Sequence, residues 1–221
     1  MALTVLYVLV PLNLILIGLY MQARMRDDHA KIRIVQPAAV IVSWLIAAAA
    51  LFAPNPDPAL IGVLLAGMGI AIVGDFLNID MEDLRNVLRG LVIAVVAYMT
   101  YAIGLTALNG FHPQDWIVEA VLLVGYVVVL RLIWSGVEPE MRIAILIYGL
   151  VLPFAFSRAA SAFFGERFSM AQAVLLSLGT LSLWVGDVEF AIHLFRRRNP
   201  LMYGPILYAG GQLLIALSVW F

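Results

Sequence analysis

The chain has 221 residues, of which 64% are apolar and only 12% charged, whereas about a quarter of the residues in a soluble domain carry charge. With a mean hydropathy of +1.01 it reads as an integral membrane protein, and no soluble segment is large enough to offer a nucleic-acid platform. The absence of cysteine excludes disulfides, thiolate metal sites and cysteine nucleophiles.

Eight apolar segments follow one another, near residues 2–22, 34–53, 58–78, 90–110, 115–134, 141–163, 169–194 and 201–221, each close to the ~20 residues that a helical span needs. The first is too long for the apolar core of a cleavable signal. Arg131 and Arg158 intrude on the fifth and sixth, whose limits are the least sharp. Short connections such as Pro54-Asn55-Pro56-Asp57-Pro58 force neighbouring helices to run antiparallel. The expected fold is an all-α integral membrane protein, a single bundle of about eight transmembrane helices forming one domain over residues 1–221. Basic residues set the orientation. The odd-numbered loops and their flanks hold Arg24, Arg26, Lys31, Arg33, Arg85, Arg89, Arg131, Arg142 and Arg196 to Arg198, against Arg158 and Arg167 on the other side. The odd loops are therefore expected in the cytoplasm and both termini outside. The compact form suggests a bacterial plasma membrane.

The third span contains Gly67, Gly74 and Asp75, and the seventh contains Gly179, Gly186 and Asp187, both in the frame Gly-x6-Gly-Asp. A carboxylate inside a membrane is costly unless it is neutral, paired or facing a wet cavity. Two such residues in matching frames, four helices apart, point to a 4+4 parallel repeat and mark Asp75 and Asp187 as candidate functional groups. The structural alternatives are that each snorkels to the interface or caps a neighbouring helix, and that the echo is a chance likeness between two glycine-rich apolar helices. Asn78 follows Asp75 on the same helical face.

The helices after the two aspartate spans carry Tyr98 and Tyr101, and Tyr208 and Gln212, each pair on one face, so that these four groups would line one pocket. Membrane tyrosines otherwise form an interfacial belt, the expected place of Tyr203. Glu119 and Arg158, at outer ends of the fifth and sixth spans, are expected to pair structurally, and Glu189 to lie at the interface. His29, His112 and His193 are not clustered, so no metal site and no cofactor is expected. The only lysine, Lys31, lies in a loop and offers no Schiff base within a span, and Ser43, Ser161, Ser177 and Ser182 read as packing residues.

The order and content of the spans resemble the YhhN-type lysoplasmalogenases, small multispanning membrane proteins. The resemblance rests on Gly74-Asp75 in the third span, on Gly90, Ala94, Ala97-Tyr98 and Tyr101 in the fourth, on Gly186-Asp187 in the seventh and on Tyr208 and Gln212 in the eighth, and runs from about Gln36 to Leu217. Two departures stand out: Gln36 replaces a lysine of the family's Lys-Pro, and Tyr98 replaces a histidine.

The resemblance implies hydrolysis of the vinyl ether of a lysoplasmalogen to a fatty aldehyde and a glycerophospho-amine. Vinyl ethers hydrolyse by protonation at the β-carbon, which gives an oxocarbenium ion that water attacks. One carboxyl would supply the proton while the other, ionised, steadies the cation and orients water, as in glycosidases. Asp75 and Asp187 would share these roles, with Asn78, Tyr98, Tyr101, Tyr208 and Gln212 positioning a membrane lysolipid and water. The residues leave two other classes open, a proton-coupled transporter or lipid-binding protein, and an accessory membrane protein whose aspartates only bind helices together.

Overall fold

A chain crossing hydrocarbon must satisfy its backbone internally, which leaves an apolar run of this length the α-helix. The computed structural model describes residues 2–77, 84–196 and 203–221, and its regular elements are helical throughout: α1 (Ala2–Met25), α2 (His29–Ala49), α3 (Pro58–Leu77), α4 (Leu84–Asn109), α5 (Asp115–Ile133), α6 (Arg142–Ala160), α7 (Met170–Arg196) and α8 (Gly204–Ser218). Among the described residues, seven helices are long and apolar enough to cross a membrane. The 15-residue α8 is shorter, spanning roughly 22 Å of a hydrocarbon core about 30 Å thick. The protein is an integral membrane protein.

Local sequence sets the helix ends. Asp28 accepts the Lys31 N–H (3.0 Å) to start α2, and Asp57, before Pro58, accepts the Leu60 N–H (3.2 Å) to start α3. Ser169 and Gln172 form a reciprocal capping box ahead of α7, with Ser169 Oγ accepting the Gln172 N–H (3.1 Å) and Gln172 Oε1 accepting the Ser169 N–H (2.9 Å). Gly110 closes α4 in the left-handed region at φ +72°, its N–H bonding Thr106 O (2.8 Å).

Packing neighbours trace a ring of six helices in the order α2, α3, α4, α6, α7, α8 and back to α2. The outer helix α1 lies against α2 and α8, and α5 against α6 and α7. Their outer position matches their burial, since only 17% of the apolar stretch of α1 and 11% of that of α5 is buried, the lowest shares of the seven. The ring is one three-helix run used twice, and its registers agree. A Cβ on Gly74 would meet Ile93 at 3.3 Å and Gly90 O at 3.9 Å, and one on Gly186 would meet Leu207 at 3.2 Å and Gly204 O at 3.8 Å. Deeper in each pair, Gly67 faces the Tyr101 ring and Gly179 faces Ile215. The Gly-x6-Gly spacing is thus a packing device that brings α3 against α4 and α7 against α8 in the same register.

Buried polar side chains tie the ring together. Asn13 Nδ2 donates to Ala39 O (2.7 Å) and Ser43 Oγ (3.0 Å), joining α1 to α2. The indoles of Trp44 and Trp220 donate to Leu65 O (3.0 Å) and Ile46 O (3.1 Å). Arg158 is 1% exposed, and its partner is Asp115, at 2.8 Å, not the Glu119 expected from the sequence. The reason is reach: Asp115 opens α5 beside the Gly110 turn, where Arg158 also donates to Gly110 O (2.7 Å) and Ser161 Oγ (2.7 Å) with its guanidinium 4.3 Å from the centre of the Phe111 ring. Glu119 is a full turn further along α5.

Candidate functional site

Asp75 lies in the last turn of α3 and Asp187 two thirds of the way along α7. Gly74 and Gly186 precede them on the faces that touch α4 and α8, so each carboxylate is carried toward the middle of the ring. Both line one cavity of about 110 Å³, whose wall also includes Tyr98, Tyr101, Tyr148, Tyr208, Gln36 and Gln212.

Each carboxylate is held by two donors from two helices. Asp75 Oδ1 accepts the Gln36 amide from α2 (3.0 Å) and the Tyr208 hydroxyl from α8 (2.8 Å). Asp187 Oδ2 accepts the Tyr98 hydroxyl from α4 (2.8 Å) and the Tyr148 hydroxyl from α6 (2.7 Å). The two phenol rings on Asp187 meet edge to face at 6.0 Å, a favourable aromatic geometry. The surroundings differ as well. Asp75 is 4% exposed, and its second oxygen, Oδ2, is buried without a hydrogen-bond partner among the described residues. Asp187 is only half-buried and borders a second, apolar cleft of about 50 Å³ between α5, α6 and α7, where Tyr126, Leu152 and Trp184 join it and Tyr148.

Of the residues picked out in the sequence, Asp75, Asp187, Tyr98, Tyr101, Tyr208 and Gln212 face this one cavity. Gln212 lies deeper, where its Oε1 accepts the Tyr101 hydroxyl (3.3 Å). Asn78 lies outside the described residues. Tyr203 is 60% exposed, its N–H bonding Glu189 Oε1 (3.1 Å). Ser43, Ser177 and Ser182 donate to helix carbonyls at Ala39, Ala159 and Leu178.

Sequence reasoning missed Tyr148 and left Gln36 as a departure without a role. A signal for both existed: Gln36 precedes Asp75 by 39 residues and Tyr148 precedes Asp187 by 39. It also missed Tyr20 and Arg24 of α1, which line the cavity beside Gln36. Tyr20 donates to Gln36 Oε1 at 2.8 Å, so the Gln36 carbonyl is fixed on one side while its amide points at Asp75.

The arrangement puts two carboxylates, five phenols and two primary amides around one small space inside an apolar bundle, beside a second, apolar cleft. It suits proton transfer to and from a bound molecule that is largely apolar. The model of the YhhN family matches residues 8–219, and the chain belongs to that family. No curated protein and no solved structure gives a significant match.

Proposed function

We propose that this member of the YhhN family is a membrane hydrolase of the lysoplasmalogenase type, cleaving the vinyl ether of a lysolipid. The observation that carries the reading is the pair Asp75 and Asp187 on one cavity, each carboxylate held by two donors and the two differing in burial. The resemblance to lysoplasmalogenases supplies the substrate class.

In the proposed reaction Asp75 is the acid. Its Oδ2, which accepts no hydrogen bond from the described residues, would carry the proton and deliver it to the β-carbon of the vinyl ether. The electron pair of the double bond forms the new C–H bond, and the α-carbon becomes an oxocarbenium ion. Asp187, kept as the carboxylate by two phenol donors, steadies that cation across the cavity and takes a proton from the water that adds to it. As the resulting hemiacetal breaks its bond to the glycerol oxygen, its hydroxyl proton is transferred to that oxygen, which leaves as the alcohol, and a fatty aldehyde remains. One water is consumed. The proton gained at Asp187 returns to Asp75 through the shared cavity, which restores the enzyme. The hydrocarbon chain would leave along the apolar cleft beside Asp187, between α5, α6 and α7.

Release of fatty aldehyde from a lysoplasmalogen by the purified protein in detergent, beside Asp75→Asn and Asp187→Asn forms, tests this. Turnover in the native protein and its loss in both folded variants is expected; an inactive native protein, or a fully active variant, would overturn the assignment. A second reading, proton-coupled transport of a small substrate, is favoured by the repeated three-helix run around a central pair of carboxylates. Proton-dependent uptake into proteoliposomes without aldehyde release would select it.

A further inference from the structure

The helix α1 stands outside the ring of six, yet two of its side chains reach the site. Tyr20 is buried and donates its hydroxyl to Gln36 Oε1 at 2.8 Å. One turn on, Arg24 Nη2 lies 3.4 Å from the same Gln36 oxygen and 3.5 Å from the Tyr20 hydroxyl. A primary amide has a donor end and an acceptor end, and a phenol acts as either, so Tyr20 and Gln36 alone could run in both directions. A guanidinium has only donors. With Arg24 at its head the series has one direction. The Gln36 carbonyl turns to α1, and its amide N–H turns to Asp75, where it donates to Oδ1 at 3.0 Å. The Tyr208 hydroxyl, from α8, donates to the same oxygen at 2.8 Å.

We infer that Tyr20 and Arg24 are positioning residues for Asp75: through Gln36 they keep Oδ1 an acceptor, and so confine the proton of the neutral carboxyl to Oδ2. For its catalytic meaning the inference rests on the reading of Asp75 as the acid, and it extends that reading to the outer helix. A proton on Oδ1 would meet the Gln36 N–H hydrogen against hydrogen, whereas Oδ2 has no hydrogen-bond partner among the described residues. The two donors to Oδ1 serve the neutral carboxyl before transfer and the carboxylate after it, so release of the proton needs no rotation of Gln36. An amide free to turn would present its oxygen to Asp75 instead and draw the proton to Oδ1, pointing it at Gln36 and not at the substrate. Tyr20, Gln36 and Asp75 are all buried, so a misdirected bond among them costs the desolvation of an unpaired polar group.

The test is the carbonyl stretch of protonated Asp75, read by infrared difference spectroscopy on the full chain in maltoside detergent with no substrate present. Subtracting the spectrum of Asp75→Asn assigns the band, which moves to higher wavenumber when its carbonyl oxygen loses a hydrogen bond. Tyr208→Phe removes one donor to Oδ1 and is expected to raise the band; a band left in place would put the proton on Oδ1 and overturn the inference. Tyr20→Phe combined with Arg24→Met removes both groups that orient the amide. This variant is expected to raise the band as well, although Gln36 and Tyr208 are both intact. An unmoved band in the folded variant overturns the inference; if the variant does not fold, Tyr20→Phe alone decides on the same criterion. In turnover, Tyr20→Phe is expected to lower kcat by about threefold to tenfold, the worth of one neutral hydrogen bond, with KM held within about twofold. A loss confined to KM overturns the positioning role. The expected band shifts in a native protein that releases no aldehyde from a lysoplasmalogen would defeat the hydrolase reading alone. Aldehyde release with unmoved bands would defeat this inference alone.

Discussion

Replacing Asp115 by alanine tests the packing logic of the bundle independently of any activity. Arg158 is enclosed, with 1% of its side chain exposed against 7% for Asp115. In the native protein the guanidinium meets a carboxylate at 2.8 Å, two further oxygens at 2.7 Å and the face of Phe111. Asp115→Ala keeps the oxygens of Gly110 and Ser161 but leaves the positive charge without its counter-charge. Removing one partner of a buried ion pair costs about 3–5 kcal/mol. At roughly 2–4 °C per kcal/mol for a chain of this size, the midpoint of thermal unfolding should fall by about 6–20 °C. Glu119→Ala should not lower it by more than about 2 °C, since Glu119 makes no ion pair with Arg158 and its Oε2 is buried with no hydrogen bond to lose among the described residues. The double variant Asp115→Leu with Arg158→Met should recover much of the loss, because an apolar pair can replace a buried ion pair at little cost. Unfolding followed by tryptophan fluorescence in detergent measures all four proteins. A drop for Asp115→Ala no larger than that for Glu119→Ala, or a double variant no more stable than Asp115→Ala, would refute the reasoning.

The other predictions concern the cavity and its walls. Tyr98→Phe and Tyr148→Phe each remove one hydroxyl from Asp187 Oδ2, and a hydrogen bond to a charged group is worth about 1.5–3 kcal/mol, so each should slow aldehyde release by roughly tenfold to a hundredfold; the double variant should lose less than the product, and single effects below twofold would remove both phenols from the mechanism. Val129→Trp fills the cleft between α5, α6 and α7 and should shift chain-length preference toward short chains in a competition between lysolipids; an unchanged preference would place the chain elsewhere. In α8, Gly210→Ala meets nothing within 4 Å and should be neutral or stabilise by about 0.5–1 kcal/mol. Its neighbour Gly211→Ala would set a Cβ 2.7 Å from the Gly179 carbonyl oxygen and should destabilise by about 1–3 kcal/mol. Thermal unfolding of the two variants, if equal, would argue against the close crossing of α7 and α8.

Much of the helix plan was legible because hydrocarbon imposes it: apolar runs of spanning length have one backbone solution, and turn and cap residues such as Pro58, Asp28 and Gly110 announce their ends. Asp75 and Asp187 stood out for the same reason, as charge in apolar runs. The partners were less legible. Tyr148 sits in an ordinary aromatic and aliphatic run, and only its distance from Asp187 marks it. Arg24 looks like one of several interfacial cations until α1 is folded onto α2. Arg158 and Asp115 lie far apart in the chain, and the turn at Gly110 decides that Asp115, and not Glu119, reaches the guanidinium.

The repeat explains how one architecture yields two unlike carboxylates. The ring places α2 before α3 and α6 before α7, so the same two steps of the fold bring one donor to each aspartate: Gln36 to Asp75 and Tyr148 to Asp187. The second donor comes from the other half in both cases, Tyr208 to Asp75 and Tyr98 to Asp187. These two tyrosines hold different registers. Relative to the glycines that α4 and α8 turn toward Gly74 and Gly186, Tyr98 stands one helical turn further from Gly90 than Tyr208 does from Gly204. That displacement, with an amide exchanged for a phenol, is why the sequence echo fades beyond Gly-x6-Gly-Asp although the helices still match. It also breaks the symmetry where acid/base chemistry needs it broken. Equivalent aspartates would compete for one role, whereas a buried carboxyl with one oxygen unbonded among the described residues and a half-buried one held by two phenols can divide the proton's departure and return between them. Gln36→Tyr, which would give Asp75 the phenol that its counterpart already has, should therefore slow release by removing the difference while leaving both carboxylates in place. Undiminished turnover in that variant, measured beside its unfolding midpoint, would mean that the asymmetry of the donors has no part in the reaction.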